Sequence, residues 1–402
     1  MAISSAVVPL GEVDLRYIVE DLRIAVTPQR MLTLGDIPKF DVQASHELYK
    51  DLLAPVKAGW GQAEHLILVA DGPLGSLPFG MLVTENVNTP PDRNLFFDGY
   101  REVPWLIKQV SLSRVPSVSA LGALRRQIKA RGSDGRPFVG FADPVFGGPG
   151  EAETGTRGSS GFEIAQLGIT LRAGPGTRAA MSADLSKLRR LPDTAEEIIA
   201  IAEALGADQL RDVYLREAAT EARVKSLSKA GILADYKVIS FATHGLLPGD
   251  LDGLRRPALA LSLPGKGEEE DGLLTTDDII GLKLDADWIV LSACNTGADG
   301  GNGGDAVSGL GRAFFYAGAR ALLVSNWPVH SGATKDLMVT LFRRHAESGG
   351  ARAEALRHAM ETLIAEGVYK DDTGNVVFAY AHPLFWAPFT LVGDGGGARL
   401  VN

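Results

Sequence analysis

The fold is decided by two stretches of the chain, Val238-Ile239-Ser240-Phe241-Ala242-Thr243-His244-Gly245 and Trp288-Ile289-Val290-Leu291-Ser292-Ala293-Cys294-Asn295-Thr296-Gly297. Each begins with a short apolar run, which is typical of a strand that is buried on both faces of a parallel sheet. Each then continues into a residue with reactive chemistry, His244 or Cys294. Ligands bind beyond the carboxyl ends of such strands. If the two strands are parallel neighbours, we expect the two side chains to lie at the same edge of the sheet, within reach of each other.

Further apolar runs and helical periodicities surround these two strands. Other strands are predicted at 66–70, 138–142, 258–263, 321–325 and 387–392. Helices are predicted at 47–58, 116–130, 194–205, 305–317, 332–347 and 352–366. A capping box, Thr194-Ala195-Glu196-Glu197, is expected to begin the third helix. Because apolar strands alternate with helices, the sequence predicts an α/β fold in which a mostly parallel sheet is sandwiched by helices.

A change in composition divides the chain. Residues 144–178 are rich in Gly, Pro, Ser and Thr and poor in apolar residues, which favours a long exposed loop or linker. We therefore predict a first unit at 46–178 that ends in this Gly-rich linker, and a second unit at 179–402. Residues 1–45 show little periodicity, and we expect them to form an N-terminal leader packed on the body.

The net charge, the lengths of the apolar runs and the number of cysteines exclude several classes of protein. The net charge of the 402 residues is −9, so no nucleic-acid partner is expected. No apolar run approaches the roughly 20 residues of a membrane helix, so no membrane partner is expected either. The single cysteine excludes an internal disulfide and a cysteine-rich zinc site. These features predict a cytoplasmic protein that needs neither a metal nor another cofactor.

His244 and Cys294 have the chemistry of a base and a cysteine nucleophile. A free thiol has a pKa of about 8.5, so only a few per cent of it is thiolate at neutral pH. A neighbouring imidazole takes the thiol proton, and the imidazolium later protonates a leaving amine. The backbone N–H groups of Gly245 and Cys294 are candidates for an oxyanion hole.

The same two motifs resemble those of a known family. Ala242-Thr243-His244-Gly245 and Leu291-Ser292-Ala293-Cys294-Asn295-Thr296-Gly297 are similar to the histidine and cysteine motifs of CHAT domains, caspase-like modules of clan CD that are related to separase. Four further stretches resemble the family in the right order, at 71–79, 309–319, 325–329 and 382–389. The resemblance extends over roughly residues 45–395.

The resemblance implies both an architecture and an activity. Such modules have two caspase-like halves, so 46–178 would be the inactive N-terminal half and 179–402 the active C-terminal half. The implied activity is that of a cysteine endopeptidase, which cleaves a protein substrate through an acyl-enzyme intermediate and acts as a regulated proteolytic effector. Many relatives join this module to tetratricopeptide repeats, so a regulatory or repeat-containing protein is the implied partner. The chain itself shows no self-similarity at a period of about 34 residues.

The pocket for the substrate's P1 side chain is predicted from the same resemblance. Its candidate residues are Ser292, Asp305, Asn326, Trp327 and His330. Some relatives carry an acid that pairs with a basic P1 residue, but serines stand at the corresponding positions 292 and 331. Asp305 is the nearest acid in sequence, and an Asp at a helix start usually caps the helix. We therefore expect an uncharged P1 residue rather than arginine.

The alternative function is a catalytically silent interaction scaffold that keeps the CHAT fold. The intact pair of His244 and Cys294 argues against it. Two other hydrolase classes find little support, because no two histidines have metal-ligand spacing and no Gly-x-Ser-x-Gly motif is present.

Overall fold

The computed structural model describes eleven ranges of the chain: 3–27, 33–126, 135–147, 161–164, 169–172, 185–251, 254–265, 270–292, 309–348, 351–371 and 373–396. The strands are β1 (His65–Leu68), β2 (Ser111–Arg114), β3 (Arg136–Ala142), β4 (Gly161–Ile164), β5 (Ile169–Arg172), β6 (Val213–Leu215), β7 (Tyr236–Ala242), β8 (Gly245–Leu246), β9 (Ala258–Ala260), β10 (Leu273–Thr275), β11 (Trp288–Leu291), β12 (Ala321–Ser325), β13 (Val368–Lys370), β14 (Val376–Ala379) and β15 (Phe389–Gly393).

Twelve α-helices accompany these strands in the described ranges. They are α1 (Glu12–Ile24), α2 (Val42–Leu52), α3 (Lys57–Trp60), α4 (Val118–Arg126), α5 (Asp193–Ala204), α6 (Gln209–Asp212), α7 (Glu221–Lys229), α8 (Thr276–Ile280), α9 (Gly309–Ala317), α10 (Ser331–Ser348), α11 (Arg352–Glu366) and α12 (Pro383–Trp386). Within the part of the chain that the structure describes, none of the helices combines the length and the apolar character that a bilayer crossing requires.

One eight-stranded sheet organises the molecule, in the order β1-β2-β15-β12-β11-β7-β3-β6. Neighbouring strands are parallel throughout except for β12 and β15, which are antiparallel. The strands β3, β6, β7, β11 and β12 therefore run in one direction, and β1, β2 and β15 run in the other. The predicted mostly parallel sheet is confirmed.

Alternating side chains on the central strands enter two separate hydrophobic cores. On β7, Val238 and Ala242 pack into the core beneath α5, α10 and α11, whereas Ile239 and Phe241 pack into the core beneath α7, α8 and α9. Successive strand residues point to opposite faces, so each apolar run supplies both cores at once. The predicted sandwich of a sheet between two helical layers is confirmed, and it explains why these strands are apolar at nearly every position.

The start of α5 corrects one prediction. The helix begins at Asp193 and its N-cap position is Pro192, so Thr194 lies inside the first turn and does not form the predicted capping box. The Thr194 hydroxyl instead donates to Leu191 O at 2.6 Å and accepts from Asp143 N–H at 2.8 Å. Its tertiary contact with the end of β3 takes the place of the local cap.

The predicted strand at 258–263 forms, but outside the main sheet. Residues Ala258–Ala260 are β9, the centre of a three-stranded sheet in the order β10-β9-β8. β9 pairs antiparallel with β8, which begins at Gly245, the last residue of the histidine motif. This small sheet thus packs beside the carboxyl end of β7.

The strand β3, from the predicted first unit, lies between β6 and β7 of the second. The division at residue 178 stays a prediction. The predicted linker at 144–178 falls largely outside the described residues, and its described parts include the antiparallel pair β4 and β5.

Candidate active site

The strands that carry the two motifs are parallel neighbours in register. Phe241 of β7 lies opposite Leu291 of β11, and the next residue, Ser292, donates its N–H to Phe241 O at 3.1 Å. The histidine and cysteine motifs therefore leave the sheet from adjacent strands at one edge. Ser292 is buried at this edge, whereas Cys294 and Asp305 lie outside the described residues.

His244 is held in one orientation by a backbone carbonyl. Its Nε2 lies 2.7 Å from Arg189 O, and because a carbonyl only accepts hydrogen bonds, Nε2 carries the proton. In the neutral ring the lone pair is then on Nδ1. The ring of Phe146 packs against the imidazole at 5.7 Å between centroids, and His244 is only 4% exposed. These contacts fix the orientation and the tautomer of His244, so that Nδ1 can accept a proton.

The backbone around His244 is fixed by β9. The Thr243 hydroxyl donates to Ala260 O, and Ala260 N–H donates to His244 O at 2.9 Å. Because of the latter bond, Gly245 faces Leu259 in a non-hydrogen-bonded pair, so the N–H of Gly245 points away from β9. The part of Gly245 in an oxyanion hole stays a prediction.

An arginine–carboxylate clamp positions the segment that contacts His244. Arg190 forms two hydrogen bonds to Asp143, with Nε to Oδ1 at 2.8 Å and Nη2 to Oδ2 at 2.6 Å. Asp143 is buried and follows β3 with a positive φ of 50°. A bidentate pair of this kind fixes geometry well, so it holds the carbonyl of Arg189 against the imidazole. Sequence reasoning missed the clamp, and the only signal for it was an Asp directly after an apolar run.

Three predicted pocket residues are buried and hold the closing segment of the chain. The Asn326 amide donates to Pro388 O and to Thr390 Oγ1, both at 2.8 Å. Trp327 Nε1 donates to Leu384 O at 3.1 Å. His330 Nδ1 accepts from Ala333 N–H at 3.1 Å, and its ring packs among aromatic side chains. The role of these residues in binding the P1 side chain stays a prediction.

An acid that the sequence did not reveal lies beside Ser331. The Ser331 hydroxyl donates to Asp193 Oδ2 at 2.8 Å, although the two residues are 138 positions apart. They belong to the first turns of α10 and α5, which pack against each other. Because α5 and α10 both begin at the edge where β7 and β11 end, this pair borders the candidate site.

Comparison with known proteins gives one family over most of the chain. The family model for the CHAT domain matches residues 42–394. Tetratricopeptide repeat protein 28 of Mus musculus and of Homo sapiens is 24% and 26% identical in alignments of 384 positions that cover 86% of this chain. The chain spans 13% of the length of these curated relatives.

Two solved structures are similar at low sequence identity. The Saccharomyces cerevisiae separase–securin complex matches with a TM-score of 0.36 at 12% identity, over 71% of this chain and 14% of that one. The Arg-specific cysteine proteinase gingipain R matches with a TM-score of 0.38 at 12% identity, over 96% of this chain and 74% of that one.

Proposed function

The chain belongs to the CHAT domain family, and we propose that it is a cysteine endopeptidase in which Cys294 is the nucleophile and His244 is its general base. The observation that carries the proposal is the fixed tautomer of His244 at the end of β7, next to the strand that leads to Cys294. Ser292, two positions before Cys294 in the sequence, is buried at this same edge and donates its N–H to Phe241 O.

The proposed first step is attack by the thiolate on a peptide carbonyl. His244 Nδ1 takes the proton of the Cys294 thiol, and the sulfur forms a bond to the carbonyl carbon. Negative charge develops on the carbonyl oxygen, where the N–H groups of Gly245 and Cys294 would stabilise it. The imidazolium then gives its proton to the leaving amine, the C–N bond breaks, and a thioester remains on Cys294.

The second step releases the acid product. His244 takes a proton from water, and the resulting hydroxide attacks the thioester carbonyl. Collapse of this intermediate breaks the C–S bond and returns the proton to sulfur. Throughout both steps, the bond from Nε2 to Arg189 O at 2.7 Å supports the positive charge of the imidazolium.

We further propose a protein substrate with an uncharged P1 residue, and a regulatory or repeat-containing partner. The partner proposal is supported by the two curated relatives, whose names denote tetratricopeptide repeat proteins. The substrate proposal is supported by the serines at positions 292 and 331, which are themselves uncharged. Asp193 is the residue to vary if arginine is preferred, because it accepts a hydrogen bond from Ser331.

The proposal is tested by covalent labelling with a peptide that carries an acyloxymethyl ketone, a group that alkylates a catalytic thiolate. We expect labelling of the wild-type chain at Cys294, much slower labelling of His244→Gln, and none of Cys294→Ala. Iodoacetamide, which needs no peptide recognition, is the control reagent. If the peptide probe and iodoacetamide label each protein at the same rate, and wild type is labelled no faster than His244→Gln, His244 does not activate the thiol. That result would favour the silent scaffold instead.

A further inference from the structure

A small cavity lies between the sheet and α11, among residues distinct from those of the candidate active site. It is lined mainly by apolar side chains of β1, β2, α11 and the segments around Phe79 and Trp386, among them Leu68, Leu112, Leu356 and Met360. Its volume is about 30 Å³. A cavity needs roughly 10–15 Å³ to hold a water molecule, so this one has room for more than a single water.

One charged side chain lines this apolar cavity. Arg114, the last residue of β2, is 3% exposed. Its Nη2 donates to Leu74 O at 2.8 Å, and its Nη1 is 3.5 Å from Leu77 O. Its guanidinium also lies 5.9 Å from the centre of the Phe79 ring. The two hydrogen bonds involve both terminal nitrogens of the guanidinium, and the buried Nε has no hydrogen-bond partner among the described residues.

Arg114 has no counter-charge in the described ranges of the chain. None of the ion pairs found there includes it, and burial alone lowers its pKa, to about 10. The side chain is therefore still charged at neutral pH. A buried charge without a partner is costly, and removal from water strengthens its attraction to any anion that reaches it.

We propose that this cavity binds a small carboxylate, with the carboxylate group on Arg114 and a short aliphatic tail against Leu68, Leu112 and Phe79. A guanidinium matches a carboxylate in shape and hydrogen-bonding geometry. The apolar lining favours a singly charged anion with an apolar end, because sulfate and phosphate carry more charge and lose more hydration on burial. The volume restricts the ligand to the size of acetate or propionate.

The proposal is tested on the full chain by thermal unfolding with acetate and propionate, at constant ionic strength and pH 7. Acetamide and propionamide are the neutral controls of the same shape. We expect both carboxylates, and neither amide, to raise the unfolding temperature of wild type and of Arg16→Met, a change at an exposed arginine of α1. Arg114→Met should lose this response, and by titration calorimetry its acetate affinity should be weaker by about tenfold or more.

A second variant covers the case in which Arg114→Met fails to fold. Leu112→Phe fills part of the cavity and leaves the guanidinium in place. Leu112 lines the cavity two positions before Arg114 on the same strand. We expect it to lose the response to propionate. The proposal is overturned if neither carboxylate stabilises wild type, if chloride does so equally well, if the amides do so as well, or if either cavity variant responds as wild type does.

Discussion

His244 is oriented by a hydrogen bond to a backbone carbonyl. Two substitutions can therefore separate its structural role from its role as a general base. In His244→Gln the side-chain amide can still donate to Arg189 O, so the local structure is kept while the base is lost. We expect kcat/KM for peptide cleavage to fall by about 10²–10⁴, with an unchanged unfolding temperature. In His244→Ala the same loss of activity should come with a loss of about 0.5–1.5 kcal/mol in the free energy of unfolding, because the hydrogen bond to Arg189 O is lost. A glutamine variant that keeps most of the activity would contradict the assigned role.

Substitution of Asn326 can distinguish its predicted contact with substrate in the P1 pocket from a structural role. Its amide donates two hydrogen bonds to the segment that leads into β15, and the residue is 2% exposed. We expect Asn326→Ala to lower the free energy of unfolding by about 1–3 kcal/mol, since two side-chain hydrogen bonds of a buried amide are lost, although Pro388 O keeps the backbone N–H of residue 326 as a donor. Chemical denaturation measures this loss. A raised KM for peptides in a variant of wild-type stability would instead show that Asn326 contacts substrate and that its hydrogen bonds matter little.

At the residue scale, the sequence predicted the reactive residues but not what positions them. His244 follows an apolar run, and that pattern is visible without any structure. Its partner is the carbonyl of Arg189, 55 positions away, and a backbone acceptor leaves no mark on the choice of side chain. The pair of Asp143 and Arg190 was missed because it joins residues on either side of the Gly-rich stretch.

At the element scale, the end of α9 sets the approach to β12. Ala319 N–H donates to Phe314 O at 3.0 Å and Gly318 N–H donates to Phe315 O at 3.2 Å, which together form a Schellman motif. Gly318 has a φ of +115°, and a Cβ there would lie 2.2 Å from Leu284 O, so no other residue fits. This glycine stops the helix and turns the chain into the sheet next to β11.

Gly318→Ala should therefore be among the most destabilising alanine substitutions in the chain. Gly249 is a matched control, because its φ of +91° is also positive but a Cβ there meets nothing within 4 Å. We expect Gly249→Ala to cost about 1 kcal/mol of unfolding free energy from backbone strain alone. Gly318→Ala should cost more than that, since the backbone of Leu284 must also move. Equal unfolding midpoints for the two variants in urea would show that the contact with Leu284 is not tight.

The elements that escaped prediction are those whose burial is decided by distant parts of the chain. β2 reads Ser111-Leu112-Ser113-Arg114, a polar sequence that becomes buried only because β1 and β15 flank it. β6 has three half-buried residues at the edge of the sheet. α1 is rich in charged residues and its buried positions are Val19 and Leu22. The central strands were predictable because burial on both faces leaves a continuous apolar run.

At the scale of the whole molecule, His382 connects the C-terminal part of the chain to the segment around Pro38 in the N-terminal part. Its Nε2 donates to Pro38 O at 3.1 Å, and its Nδ1 accepts from Leu384 N–H at 3.1 Å. The side chain is fully buried, and burial lowers the pKa of His382 to about 3, despite the opposing effect of the bond to Pro38. The folded protein therefore holds this ring neutral well below the pH at which an unfolded chain would protonate it.

This pKa difference predicts a loss of stability in acid. The unfolded histidine has a pKa of 6.5, so between pH 6.5 and about pH 3 the unfolded chain binds a proton that the folded state excludes. The contribution of His382 to the free energy of unfolding is thus complete above pH 6.5 and falls below it, by at most about 1.4 kcal/mol per pH unit. His382→Asn, which keeps an N-cap acceptor, should flatten the plot of stability against pH. His358→Asn, at a half-buried site, is the control, and equal slopes for wild type and His382→Asn would contradict the prediction.

The overall architecture was predictable in class but not in strand order. Apolar strands between helices predicted a mostly parallel sheet, and the sandwich follows from it. The placement of β15 between β2 and β12, and of β3 between β6 and β7, depends on pairings between residues that are 64 to 278 positions apart, which leave no local pattern. The domain division at residue 178, drawn from composition alone, stays a prediction.

The central claim is that Cys294 cleaves peptide bonds with the help of His244. Its most direct test is the cleavage of a peptide library by the wild-type chain, compared with Cys294→Ala at matched concentration. The account predicts defined cleavage sites for wild type and a rate at least about 10³-fold lower for Cys294→Ala, with the same unfolding temperature for both. No cleavage of any peptide by wild type, or most of its activity surviving in Cys294→Ala, would contradict the account.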